Sequence, residues 1–208
     1  MQPMSFREII AVSYVIPVLI VFSIFCITFA IERWFYYFRY AKVSNRILDR
    51  IRLCLKNGNL KDAKQEALRA GGLAGEALSA QIDASHLPRN ERESLLIFYH
   101  QRTADLLGRR LWVFGTLSFI CPLIGLLGTV LGVIRSFRDL AISGSGGPSI
   151  VAAGISEALI ATAGGILVAV VAALIYNYFN IKMKESLTRL NLFGQEMMFL
   201  TLSKSVGH

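Results

Sequence analysis

Val151-Ala-Ala-Gly154-Ile-Ser-Glu157-Ala158-Leu-Ile-Ala161-Thr162-Ala-Gly-Gly165-Ile-Leu-Val-Ala169-Val-Val-Ala172-Ala-Leu-Ile decides the fold of this chain. Residues 140–181 carry a single charge, Glu157, in an otherwise uncharged stretch. About 20 apolar residues at 1.5 Å rise each cross a bilayer as a helix, and this stretch is long enough. A carboxylate at the centre of such a helix costs roughly 2.5–3.5 kcal/mol on insertion scales. Residues that costly are kept for moving ions or protons, or for binding a partner.

Two further runs match it. Residues 9–31 and 111–134 are free of charge, and each is long enough to span. The apolar fraction of 54% and a mean hydropathy of +0.51 exceed those of an ordinary soluble domain. The fold class expected is therefore an all-α membrane protein with three transmembrane helices. A secretory leader does not explain the first run, because it is too long and lacks a small-residue exit. It ends instead in Glu32-Arg33-Trp34-Phe35-Tyr36-Tyr37-Phe38-Arg39-Tyr40, the arginine–aromatic mixture that a membrane–water boundary favours.

Charge placement orients the chain. Residues 32–110 hold 15 of the 22 Lys and Arg, and four more follow residue 178. The positive-inside rule then places 32–110 and 179–208 in the cytoplasm, with 1–8 and 138–149 outside. The spans are drawn at 9–31, 111–137 and 150–178. The pI of 9.7 follows from this topology, so no nucleic-acid partner is called for. Cys26, Cys54 and Cys121 show neither disulfide nor metal spacing, and no cofactor or catalytic set is expected.

The cytoplasmic segment reads as helices. Ile47, Ile51 and Leu55 repeat at helical spacing up to Asn57-Gly58-Asn59, where a glycine stop falls. Asn59 is placed to cap a second helix ending near Gly71-Gly72, and a third runs to about His86. From Pro88 no strong breaker occurs until past Arg135, so one continuous helix of about 47 residues is expected, on the order of 70 Å. Gly108 and Pro122 are its soft points. The Ser/Gly-rich 143–149 linker is assigned no role beyond joining two helices.

Gly154, Ala158, Ala161, Gly165, Ala169 and Ala172 recur at three- and four-residue spacing along the third span. The second span offers Gly125, Gly128 and Gly132. Such small faces let helix backbones approach closely in lipid, where packing drives association, so both sets are read as helix-packing surfaces. Glu157 adjoins Ala158 of this stripe. Thr162 lies about 140° further round the helix at 100° per residue, and Thr129 is the other hydroxyl at comparable depth. Together they form a candidate proton pathway, because a carboxyl that gains and loses a proton in an apolar wall suits a proton-binding step. No Lys or Arg lies within the uncharged runs to pair with Glu157. Three helices cannot wall off an aqueous path, so several copies or a second subunit are expected.

Leu123-Ile-Gly-Leu-Leu-Gly-Thr-Val-Leu-Gly-Val-Ile-Arg-Ser-Phe137, Gly154-Ile-Ser-Glu-Ala-Leu-Ile-Ala-Thr-Ala-Gly-Gly165 and Tyr176-Asn177 resemble the MotA/TolQ/ExbB proton channel family, most closely its ExbB/TolQ branch. The resemblance implies a homo-oligomer, a pentamer of this chain around a dimer of a single-span ExbD/TolR-like subunit with a membrane aspartate. It implies coupling of the proton-motive force to work on an envelope component from the bacterial inner membrane. Glu157, Thr129 and Thr162 match the family's pore carboxylate and threonines. This chain departs from the family at Ala153, where a proline is usual. The competing reading is a non-conducting scaffold in which Glu157 only bonds across a helix interface. A solute transporter lacks support, since neither internal repeats nor broken helices are present.

Overall fold

A computed structural model of the chain describes residues 15–40, 44–143 and 148–205. Among them all regular structure is helical: α1 Val15–Tyr40, α2 Asn45–Lys56, α3 Leu60–Ala70, α4 Gly72–Asp83, a 3₁₀ turn Ala84–His86, α5 Arg89–Gly108, α6 Leu111–Ser143 and α7 Pro148–Ser205. Three helices are long and apolar enough to cross a membrane: α1, α6 and α7. The expected 1–8 terminus, residues 9–14 of the first span and residues 144–147 of the linker lie outside the described residues. The second and third helices extend to Ser143 and from Pro148, so both outrun the apolar cores drawn from hydropathy.

The chain divides into two compact units. The first comprises residues 1–31 and 110–178. Its contacts are made by small residues, for reasons of geometry. A Cβ on Gly128 would sit 2.9 Å from Ala161 Cβ and 3.2 Å from Val15 Cγ1, and one on Gly132 would sit 2.6 Å from Ala158 Cβ. The α6 and α7 backbones therefore run antiparallel at a separation that only glycine and alanine allow. Helix α1 joins through Val15, Leu19 and Cys26, all buried, with Leu19 against Gly164. Bulky apolar side chains point away from these contacts: Phe119, Leu167 and Leu174 are each about two-thirds exposed. An apolar exterior of this extent is stable only against lipid or a partner.

The second unit comprises residues 32–109 and 179–208. Its core is built by the helical periodicity of α2 to α4 and the end of α7, with Ile51, Leu55, Ala63, Ala67, Ala77, Leu78, Ile82, Leu190, Phe193 and Met197 buried together. Asn59 caps α3 by accepting from Asp62 N at 3.2 Å, which satisfies one of the four donors a helix start leaves open. Gly71 and Gly72 both adopt positive φ, +62° and +61°, and Gly72 also has Tyr40 O so near that a Cβ would lie at 2.8 Å. Glycine is required there on both counts. Helix α7 is held by a two-pronged pair, Arg52 Nε–Glu196 Oε1 at 2.6 Å and Nη2–Oε2 at 2.7 Å.

The expected continuous helix from residue 88 to beyond 135 is interrupted. Helix α5 stops at Gly108, Arg109 is extended (φ −54°, ψ 129°), and Arg110 has φ +66° before α6 starts at Leu111. Local sequence offers no strong stop there. At the break Leu106 O accepts from Arg33 Nη1 at 3.4 Å, and Leu107 O from Tyr37 Oη at 2.9 Å. These side chains satisfy two of the carbonyls that the end of α5 leaves open.

Candidate functional site

The crossing of α6 and α7 places the site. Its floor is backbone: a Cβ on Gly125 would lie 3.0 Å from Thr162 Cα, and one on Gly165 only 2.5 Å from Cys121 O and 3.0 Å from Gly125 Cα. Ala158 and Ala161 are buried in this seam, as are Ala169 and Ala172 further along. Gly154 closes the other end against Ser136. Ser136 was not singled out from the sequence, yet it is buried and donates to Gly132 O at 2.8 Å. The signal for it was present, since Ser136 continues the Gly128–Gly132 stripe by another four residues.

Thr162 donates its hydroxyl proton across the seam to Gly125 O at 2.8 Å. Two features make this possible. Gly125 has no side chain to hold the helices apart, and a carbonyl oxygen has a second lone pair beyond the one used in its own ladder. Thr129 instead bonds its own helix, donating to Leu126 O at 2.7 Å, the local habit of hydroxyls in apolar helices. Both oxygens keep acceptor capacity, so each can still accept a hydrogen bond from water or a protonated acid. The two hydroxyls are thus not joined to each other by a direct hydrogen bond.

Glu157 is half-buried, one residue from the buried Ala158. Among the described residues its carboxyl takes no hydrogen bond. Arg135 on α6 stands one residue beyond the uncharged run 111–134, and the antiparallel crossing brings its turn level with residues 154–158. Among the described residues no group of three or more His, Cys, Asp or Glu is placed to hold a metal ion.

Three apolar helices, a glycine–alanine seam and one acid beside it define a multi-pass membrane protein with a protonatable group in its spanning unit. The chain belongs to the MotA/TolQ/ExbB proton channel family, whose pattern matches residues 64–191. It is similar to the biopolymer transport protein ExbB of Pseudomonas putida, 33% identical over 133 residues, covering 60% of this chain and 40% of that protein. A putative ExbB-like protein 3 of Synechocystis sp. is 33% identical over 164 residues, 76% of each chain. The Tol-Pal system protein TolQ of Pseudomonas aeruginosa is 38% identical over 95 residues, 46% of this chain and 41% of the relative. The chain thus spans less than half the length of both Pseudomonas proteins.

Proposed function

We propose that this chain is the proton-conducting, multi-pass subunit of an energy-transducing complex in the bacterial inner membrane. Glu157 is its protonatable station, and Thr162 and Thr129 supply hydroxyl oxygens along the path. The observation that carries this reading is Glu157 itself: a half-buried acid on an apolar helix, unbonded among the described residues, beside a glycine–alanine seam. A side chain kept only to glue α7 to α6 would have its hydrogen bond made within the seam, as Thr162 does.

One such carboxyl cannot conduct alone. The complementary group is expected on a single-span ExbD/TolR-like subunit with a membrane aspartate, held inside a ring of copies of this chain, a pentamer by family resemblance. Residues 32–110 and 179–208 face the cytoplasm by the positive-inside rule, with the N-terminus outside. One charge crossing 100 mV releases roughly 2.3 kcal/mol, so a few protons suffice to drive a conformational step of several kcal/mol. The role is transport-coupled work on an envelope component rather than enzyme catalysis.

The test is proton flux into liposomes holding the chain with its partner subunit. Glu157→Gln keeps size and hydrogen-bonding capacity but cannot carry a proton, and it is expected to assemble normally while losing flux. Wild-type flux from the assembled Glu157→Gln complex would overturn the proposal.

A further inference from the structure

Arg92 on α5 and Gln81 on α4 are each only 1% exposed, and their polar ends are incompletely matched. Arg92 Nη2 donates to Thr201 Oγ1 on α7 at 2.6 Å, and Thr201 donates in turn to Met197 O at 2.9 Å. Arg92 Nε and Nη1 are buried and meet no acceptor among the described residues. Gln81 Nε2 donates to Arg92 O at 3.2 Å. That bond fixes the orientation of the amide, because a carbonyl oxygen can only accept. Gln81 Oε1 is thereby left buried without a donor among the described residues.

A buried donor with no acceptor carries its full desolvation cost, and a charged one carries more. Burial pushes the Arg92 guanidinium below its usual range, and among the described residues no carboxylate acts to restore it. A guanidinium still keeps its proton in a protein, so the charge calls for an anion. The unmet atoms specify its chemistry. Two N–H groups call for oxyanion acceptors, in the forked geometry that suits phosphate and carboxylate, and Gln81 Oε1 calls for an O–H donor. Chloride has no such donor, and carboxylate and sulfate carry no proton near neutral pH. Phosphate offers both acceptors and a donor. Near-complete burial leaves no place for the alkyl group of an ester, so the free ion is the fitting ligand. A cleft of about 660 Å³ between α5 and α7 gives it an approach, since the lining residues Leu96 and Met198 stand one turn from Arg92 and Thr201.

We propose that Gln81, Arg92 and Thr201 form a binding site for inorganic phosphate. Arg92 Nε and Nη1 donate to its oxygens, and its remaining O–H donates to Gln81 Oε1. Thr201 holds the guanidinium in place through Nη2. The bound ion joins α4, α5 and the end of α7 at one point and supplies the counter-charge that these helices lack there. All three residues belong to the unit of residues 32–109 and 179–208, so the inference does not depend on Glu157 carrying protons.

Equilibrium dialysis of the full chain in detergent micelles against radiolabelled inorganic phosphate tests it, with chloride holding the ionic strength constant. Wild type is expected to retain phosphate saturably, as a single ion per chain. Sulfate is expected to compete about tenfold less well than unlabelled phosphate, the worth of one hydrogen bond. Arg92→Gln should weaken retention by about tenfold or more, because the charged donors are lost. Gln81→Met keeps the guanidinium, so it should bind both anions and lose the preference for phosphate. Helical circular dichroism shows whether each variant is folded. Absence of saturable retention by wild type overturns the site, and so does undiminished retention by folded Arg92→Gln. Where Arg92→Gln does not fold, Gln81→Met decides: an unchanged preference for phosphate overturns the proposal, and equal binding of the two anions supports it.

Discussion

Gly164 and Gly165 are neighbours in sequence, yet alanine should have opposite consequences at the two positions. A Cβ at Gly165 would lie 2.5 Å from Cys121 O, and 3.0 and 3.2 Å from Gly125 Cα and N. All three obstacles are backbone, so no rotamer change relieves them. Ordinary contact begins near 3.4 Å, so α6 and α7 must part by up to about 0.9 Å at this point. A radial gap of 0.5–1 Å forfeits a quarter to a half of each dispersion contact, and the neighbouring Gly125–Thr162 and Gly128–Ala161 contacts sit in the same seam. Overpacking of this kind costs about 1–3 kcal/mol, roughly a five- to 150-fold fall in the folding equilibrium at 1.4 kcal/mol per decade. At Gly164 the nearest atom is Leu19 Cδ1 at 3.7 Å, an ordinary contact at the tip of a side chain, so Gly164→Ala should be neutral or mildly stabilising through helix propensity. Denaturant titration in micelles, followed by helical circular dichroism, measures both variants against wild type. Equal midpoints for Gly165→Ala and Gly164→Ala would refute the backbone-clash argument.

Thr162→Val should lower the same midpoint by about 0.5–1.5 kcal/mol by deleting the cross-helix bond to Gly125 O. Thr129→Val, whose hydroxyl bonds only its own helix, should cost less, and a larger loss at Thr129 would contradict the assignment. Asn59→Ala removes the α3 cap, with about 1 kcal/mol of stability expected to go in thermal unfolding. Asn59→Asp should retain most of it. Glu196→Gln leaves Arg52 without its two-pronged acceptor. Because both side chains are more than a third exposed, the loss should stay below about 1 kcal/mol and shrink further in high salt, as a salt series of melting curves would reveal.

The three spans and the acid were legible from hydropathy and charge alone, since a bilayer demands about 20 apolar residues and makes any carboxylate among them conspicuous. The small-residue stripes were equally plain, because three- and four-residue spacing is a local property of one helix. The short helices of residues 45–83 followed from periodicity and from the stops at Gly58 and Gly71-Gly72, where the backbone adopts positive φ. What each hydroxyl bonds to was not legible. Thr162 and Thr129 look alike in sequence, and only the depth of the Gly125 approach separates a cross-helix bond from a local one.

The sequence by itself determined an all-helical membrane protein of three spans with Glu157 as its anomalous charge, because burial in lipid is enforced residue by residue. Tertiary structure alone decided that Thr162 bonds across to Gly125 O and that Arg33 and Tyr37 cap the end of α5. Both depend on groups far apart along the chain. Arg33 and Tyr37 lie about 70 residues before the carbonyls they cap, and no local pattern encodes a donor arriving from that distance.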